Sequence, residues 1–496
     1  MAGAVHEGYL RLPNPVRPNR RPMLELSPDE MRALGYRAVD MMVSHLAALP
    51  DEPVFGTAAR AEMEARLREP PPAEGRGWEA VLQRVGDEVF RPMTHLTHPR
   101  FFAYVPGPSN FIGAIADALA SGFNPFAGAW AMSPAAAQVE LVTADWLREA
   151  LGMPSTAGGL FVSGGSMATL TALAVARHKR LGDDASRGVI YCSNQTHTAV
   201  DRGARILGFR PDQLRKLAPD EHYRLRVDDL AAAMDADAAA GLRPFCVVAN
   251  AGTTSTGAVD PLAEIADLCR ARGVWMHVDG AYGGAAVLTD EGRAILHGIG
   301  EADSIALDAH KWLFQPVECG CVLVRQAEDL KDTFRMVPAY LRDNDLSAEE
   351  VNFRDWGVQL TRGFRALKLW MTIQVFGMHA MRAAVGRGMR LAEVAEEELR
   401  ALADWEIVTP AQLGIVTFRH RPNGIDGAEA DDLQRRIATG LAADGYALLS
   451  TTELRGRTVL RLCTINPRTT DEEMRRTVRT LDRIARERVD SPPHAG

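Results

Sequence analysis

Apolar residues recur at helical spacing over roughly the first hundred positions and in short unbroken runs thereafter, so the chain changes character near residue 100. Ser27-Pro28-Asp29-Glu30 opens an amphipathic stretch over about 28–49. The serine and glutamate satisfy each other's free amides, and proline suits the first helical turn. Helical patterns also cover about 57–68, ending at Pro70-Pro71-Pro72, and about 78–90, which makes the start of the chain a helical arm. Beyond it, helices predicted over 133–150 and 166–180 alternate with strands at 159–162, 189–192, 245–249, 275–278, 304–307 and 321–324. Such alternation predicts an α/β domain whose largely parallel sheet is covered on both faces, with ligands bound at the carboxyl ends of strands. Residues 327–357 are polar and weakly periodic, as in a loop or lid. A long helix over about 364–402 then leads into a smaller α+β region at 405–496, which has a second capping box at Thr470 to Glu473.

Composition narrows the class. With 46% hydrophobic and 24% charged residues in 496, the chain is globular, not disordered, collagen-like or a disulfide scaffold. A formal net charge of −8 argues against nucleic acid as a partner. There is no run of about 18 apolar residues, and Pro13, Pro15 and Pro18 stand where a leader would be apolar, so no membrane association and a cytoplasmic location are expected. Six cysteines lack the paired spacing of a zinc site, and no metal is expected. Cys319 and Cys321 alternate within an apolar run, as small hydrophobes do. The basic residues are nearly all arginine. Only Lys179, Lys216, Lys311, Lys331 and Lys368 are available for lysine chemistry.

Four segments at the ends of predicted strands carry candidate chemistry. Ser163-Gly164-Gly165-Ser166 lies between a strand and a helix, where glycines admit an anion to free N–H groups at the helix start. No Gly-Lys-Ser/Thr follows, so it is not a P-loop. Asp279 ends the apolar strand containing His277 and Val278. A carboxylate there costs on the order of several kcal/mol if ionised and unpaired, so it calls for a cation or protonated heterocycle, or caps the next turn. Lys311 follows the strand at 304–307 between His310 and Trp312, and a lysine among apolar and aromatic neighbours suits condensation with a carbonyl. His197, in the loop after the strand at 189–192, offers a flat ring that can stack on a heterocycle or exchange a proton. An anion cradle, an amine, an acid and a flat ring are together the parts of a pyridoxal phosphate site.

On these motifs the sequence resembles the group II pyridoxal-phosphate decarboxylases, the family of aromatic-L-amino-acid, histidine and glutamate decarboxylases. Colinear matches run from His98-Pro99-Arg100-Phe101-Phe102-Ala103-Tyr104, through Ser133-Pro134 with Glu140, to the segment from Arg362 to Trp370. The resemblance implies a type I aminotransferase-like fold: a helical dimerisation arm over 1–105, a large domain over 106–385 with a mostly parallel seven-stranded sheet, and a small α+β domain over 386–496. It implies that Lys311 carries pyridoxal 5'-phosphate (PLP), Asp279 pairs with the ring nitrogen and His197 stacks on the ring. Gly164, Gly165 and Ser166 would grip the phosphate with Asp308 and His310, although Asp308 stands where animal enzymes have Asn and adds negative charge. Thr254 would support the histidine, and Ala281 would pack on the ring. Within a mobile loop over about 331–350, Tyr340 would reprotonate the substrate carbon; phenylalanine there accompanies oxidative deamination in related plant enzymes. Tyr104, Pro106 and Thr361 would line the substrate pocket, where the bulk of Thr361 reduces room for an indole. The implied activity is decarboxylation of an aromatic amino acid by a homodimer. An aldehyde-forming oxidative deaminase and an aminotransferase remain as alternatives, the latter with Arg461 as a carboxylate clamp unless that arginine is structural.

Overall fold

The computed structural model describes residues 24–336 and 350–490. They form two compact units. One comprises the described residues up to Glu52 with Gly56–Met93, and the other comprises Pro53–Phe55 with the described residues from Thr94 onward.

The first unit is helical. The Ser27 hydroxyl accepts the Glu30 N–H, while the Glu30 carboxylate accepts the Ser27 N–H at 2.8 Å, so the helix Pro28–Ala48 begins at the box that its sequence specifies. It buries none of its residues, and Tyr36, Val39 and Val43 stand exposed. The helix expected at 57–68 shortens to Arg60–Leu67, since the backbone is still extended at Ala59. The one expected at 78–90 splits into Trp78–Arg84 and a wider π-helical turn, Val85–Phe90.

In the second unit, β1 (Gly158–Val162), β2 (Gly188–Ser193), β3 (Leu214–Leu217), β4 (Arg243–Asn250), β5 (Trp275–Asp279), β6 (Ser304–Asp308) and β7 (Gly320–Val324) form one sheet in the order β1-β7-β6-β5-β4-β2-β3. Only β7 runs antiparallel to its neighbours. β2, β6 and β7 are buried throughout, which explains their unbroken apolar runs: helices cover both faces. The edge strand β3, Leu-Arg-Lys-Leu, is too short and basic to stand out in the sequence. The helix Phe111–Phe123, capped by Asn110 accepting the Gly113 N–H at 2.9 Å, was also not anticipated.

Beyond β7 the polar stretch is not all loop. Glu328–Phe334 is helical, anchored by the fully buried Leu330 and the partly buried Phe334, while its charged residues form ion pairs: Lys331 with Glu328 at 2.9 Å, and Asp329 with Lys179 at 2.8 Å. A helix of seven residues needs few apolar positions, so periodicity misses it. Phe353 and Trp356 are likewise buried. The long helix spans Ala366–Arg400 but breaks at Gly377, whose φ of 75° no continuous helix contains. Its second half packs Leu391, Val394, Ala395 and Leu399 against the second sheet. That sheet is antiparallel, in the order β10-β11-β9-β8, formed by β8 (Trp405–Gln412), β9 (Ile415–His420), β10 (Ser450–Leu454) and β11 (Arg457–Cys463). Helices Gly427–Asp444 and Asp471–Asp490 share its core, the latter started by the Thr470 and Glu473 box. The fold is thus α/β with a separate antiparallel sheet. Among the described residues no helix is long and apolar enough to cross a membrane.

Candidate active site

Because β2, β4, β5 and β6 are parallel, their carboxyl ends fall on one side of the sheet, and the loops that follow them converge. They enclose a cavity of about 380 Å³ whose lining includes Gly164, Gly165, Ser166, His197, Thr254, Asp279, Ala281, Asp308, His310 and Lys311. All ten residues expected around a cofactor therefore meet in one place.

The helix Gly165–Leu181 starts at the cavity wall. Met167 and Ala168 return their N–H groups to the Gly164 carbonyl, whereas the N–H groups of the first helical residues have no intrahelical acceptor and are available to an anion. The missing side chains are needed here. A Cβ on Gly165 would lie 2.9 Å from Asp308 Oδ2 and 3.1 Å from the Ala281 methyl, and one on Gly164 would lie 3.2 Å from the His310 ring.

Opposite the cradle, Lys311 N–H donates to the Asp308 carbonyl, and this turn brings the two side chains together: Lys311 Nζ lies 3.0 Å from Asp308 Oδ2. The lysine is therefore not enclosed by apolar and aromatic groups as its neighbours in sequence suggested. Trp312 instead turns into the core and stacks on Tyr282, with centroids 5.2 Å apart. Asp308 is buried, and its Oδ1 has no partner, so Lys311 is the cation nearest to an otherwise costly charge. His310 Nε2 lies 3.8 Å from the same carboxylate, and the Cys319 peptide holds the opposite side of its ring.

Asp279 accepts the Ala281 N–H at 3.1 Å and makes no ion pair among the described residues. His277, on the same face two residues earlier, does not supply one. Burial pushes its pKa down to about 4 against the pull of Asp279, leaving it neutral at neutral pH, with Nδ1 beside Ser304 Oγ at 2.9 Å. A carboxylate at a cavity wall, without a cation of its own, matches a protonated pyridine nitrogen. The exposed His197 ring accepts the Ala199 N–H at Nδ1, so its neutral form carries the proton on Nε2. The donor set thus fits PLP: a cradle for phosphate, an amine for the aldehyde, an acid for the nitrogen and a ring for its face.

The family model for the pyridoxal-dependent decarboxylase conserved domain matches residues 61–421. The chain belongs to the pyridoxal-dependent decarboxylase family. The decarboxylase is 47% identical to the aromatic-L-amino-acid decarboxylase of Bacillus atrophaeus, covering 94% of this chain and 97% of that protein. It is 32% identical to the phenylacetaldehyde synthase of Arabidopsis thaliana, covering 90% and 93%. The solved structure of Oryza sativa TDC with PLP and tryptamine superimposes with a TM-score of 0.89 at 30% identity, covering 95% of this chain and 99% of that one. This protein is a PLP-dependent carboxy-lyase.

Three expected substrate residues lie off the cavity lining. Pro106 is buried, whereas Thr361 and Tyr104 are exposed, Tyr104 in a left-handed conformation at φ 52°. Gly107 links this segment to the site, since a Cβ there would sit 3.1 Å from the His310 carbonyl oxygen and 3.8 Å from Val317, a cavity residue. Tyr340 lies outside the described residues. Arg461 is buried and absent from the cavity lining. Its Nε donates to the Thr254 carbonyl at 2.7 Å and its Nη1 to the Tyr104 carbonyl, which supports the structural reading over a carboxylate clamp. Asn250, Tyr282, Val317 and Glu318 also line the cavity and were not anticipated. Asn250 was detectable, since it ends its apolar strand as Asp279 ends the next, and the two are register partners.

Gly165→Ala tests the cradle. The added methyl should weaken PLP binding to the apoprotein roughly 5- to 100-fold, the effect of overpacking by one methyl, as read by fluorescence titration. Unchanged affinity would place the phosphate elsewhere.

Proposed function

We propose that this decarboxylase converts an aromatic L-amino acid to the corresponding amine and CO2. The observation that carries the reading is its 47% identity, over nearly the whole of both chains, to an aromatic-L-amino-acid decarboxylase. Bound PLP supplies a ring that accepts the electron pair left as the substrate carboxylate departs. The protein supplies position and charge. Lys311 Nζ holds the cofactor aldehyde, with Asp308 beside it to keep the amine in place. Asp279 keeps a proton on the ring nitrogen, the condition for the ring to draw electrons. Gly164, Gly165, Ser166 and His310 hold the phosphate, Ala281 and His197 confine the two faces of the ring, and Thr254 supports the histidine side. Tyr340 returns a proton to the substrate carbon, an assignment that rests on the sequence motif. Tyr104, Pro106 and Thr361, which lie off the cavity lining, are assigned to the substrate side by the sequence motif alone.

The working form is a homodimer in the cytoplasm. Exposed Tyr36, Val39 and Val43 on a helix that buries nothing support a partner for the arm, and six buried, unpaired thiols suit a reducing compartment. A panel of L-amino acids tests the substrate class. Phenylalanine, tyrosine or their ring-hydroxylated relatives should exceed glutamate in kcat/KM by roughly 100-fold or more, because the cavity lining among the described residues holds no arginine, its one lysine is committed to the cofactor, and Glu318 adds negative charge where a second carboxylate would need a partner. A preference for glutamate or another acidic substrate would overturn the reading.

A further inference from the structure

A chain of buried polar groups to which no step of the reaction is assigned runs from Asn250, in the cavity wall, to Asp260 and Thr196 behind it. Asp260, buried at the start of the segment after the Thr253–Ala258 turn, accepts three N–H groups: Leu225 N–H at 2.7 Å, Asn250 N–H at 2.7 Å and the Asn250 side-chain amide at 2.8 Å. The same Asn250 Nδ2 donates to Thr196 Oγ1 at 3.1 Å, so both of its amide protons are committed and the orientation of the amide is fixed. Thr196 is the residue before His197. Its own N–H returns to the Ser193 carbonyl at 3.1 Å at the end of β2. Asn250 is also the register partner of Asp279 across β4 and β5. One rigid amide therefore joins the strand that ends in the acid to the loop that carries the histidine. All three residues are buried, with exposures of 2% for Asp260, 3% for Asn250 and 6% for Thr196.

We propose that the Asp260, Asn250 and Thr196 hydrogen-bond chain is a positioning device that sets His197 over the cofactor face and ties its placement to Asp279. The proposal rests on the reading that PLP occupies this cavity with His197 against its ring. An exposed imidazole on a loop has few restraints of its own; here the only side-chain hydrogen bond to the His197 ring among the described residues comes from Ala199 N–H, two residues away. Without the anchor at Thr196, the ring keeps that local bond but loses its registration against the sheet.

The test uses Thr196→Val, which keeps the shape of the side chain and removes the acceptor, beside Thr196→Ser, which restores it. PLP affinity is measured by titration of the apoprotein, and the visible circular dichroism of the loaded protein reports the asymmetry around the bound ring. Thr196→Val should bind PLP roughly 3- to 10-fold more weakly, the effect of about one hydrogen bond, and should change the dichroic band. Thr196→Ser should match the wild type in both readouts. Asn250→Ala, which severs the chain at its centre, should reproduce the valine phenotype even if valine perturbs packing. If both variants bind PLP with wild-type affinity and dichroism, the positioning proposal is wrong while the cofactor reading stands. If the wild-type protein binds no PLP, both fail together.

Discussion

Lys311→Ala should reduce turnover by at least ~10³-fold, the scale seen when a covalent catalytic group is removed, and should abolish covalent retention of the cofactor. No other lysine can take its place. Lys179 is tied to Asp329 and Asp332, Lys216 to Asp201, Lys331 to Glu328 and Lys368 to Asp117, and none of these lines the cavity. After borohydride reduction and denaturing desalting, the wild type should retain one PLP per chain on the peptide containing Lys311 and the variant none. Removing the ammonium also strands the buried Asp308 carboxylate, so Lys311→Ala should lose stability as well. Combining it with Asp308→Asn should restore stability but not turnover, which separates the two roles. Cofactor retained by the alanine variant through denaturation would contradict the assignment.

The largest effect on stability is expected away from the chemistry. Glu140 and Arg362 are fully buried and doubly bonded to each other, at 2.5 Å and 3.1 Å. The pair is also stitched to the backbone: Arg362 donates to the Ala127 and Phe161 carbonyls, and Glu140 accepts the Phe161 N–H. Phe353 lies against the guanidinium, 5.0 Å from the ring centroid. Three distant segments thus close on one ion pair: the helix Pro134–Ala150, β1 and the stretch leading to the long helix. Arg362→Ala leaves a carboxylate buried without its cation and two carbonyls without donors, and should lower stability by about 3–5 kcal/mol. Glu140→Gln with Arg362→Met should be less damaging than the sum of its single substitutions, because no unpaired charge remains. Urea denaturation midpoints of the wild type, Arg362→Ala, the two single substitutions and the double variant measure this; a midpoint for Arg362→Ala equal to that of the wild type would contradict the clamp.

How far the sequence revealed this arrangement follows from what each feature depends on. Asp279 was legible because a polar residue directly after an apolar strand has few explanations, Lys311 because it alone of five lysines follows shortly after a buried strand, and Gly164-Gly165 because a strand-to-helix turn is a local event. The pairing of Lys311 with Asp308 was not, since it depends on a turn that places residues three apart on one side while the intervening aromatic leaves for the core. Nor was the Asn250 relay, whose partners Asp260 and Thr196 lie 10 and 54 residues away in sequence. The strand β3 and the helix Glu328–Phe334 escaped because both are short and largely polar. Gly377 breaks a helix whose apolar period continues on either side of it.

Under the proposed function, this cavity removes the carboxylate of an aromatic amino acid and returns a proton to its carbon. Similarity to an aldehyde synthase makes the product the deciding observable. The direct measurement is product stoichiometry from PLP-loaded enzyme turning over its best aromatic L-amino acid in air, with CO2, amine, aldehyde, ammonia and peroxide quantified in the same reaction. One amine per CO2 is expected, with no accumulation of aldehyde or peroxide. Aldehyde, ammonia and peroxide in place of the amine would contradict it and make the protein an oxidative deaminase.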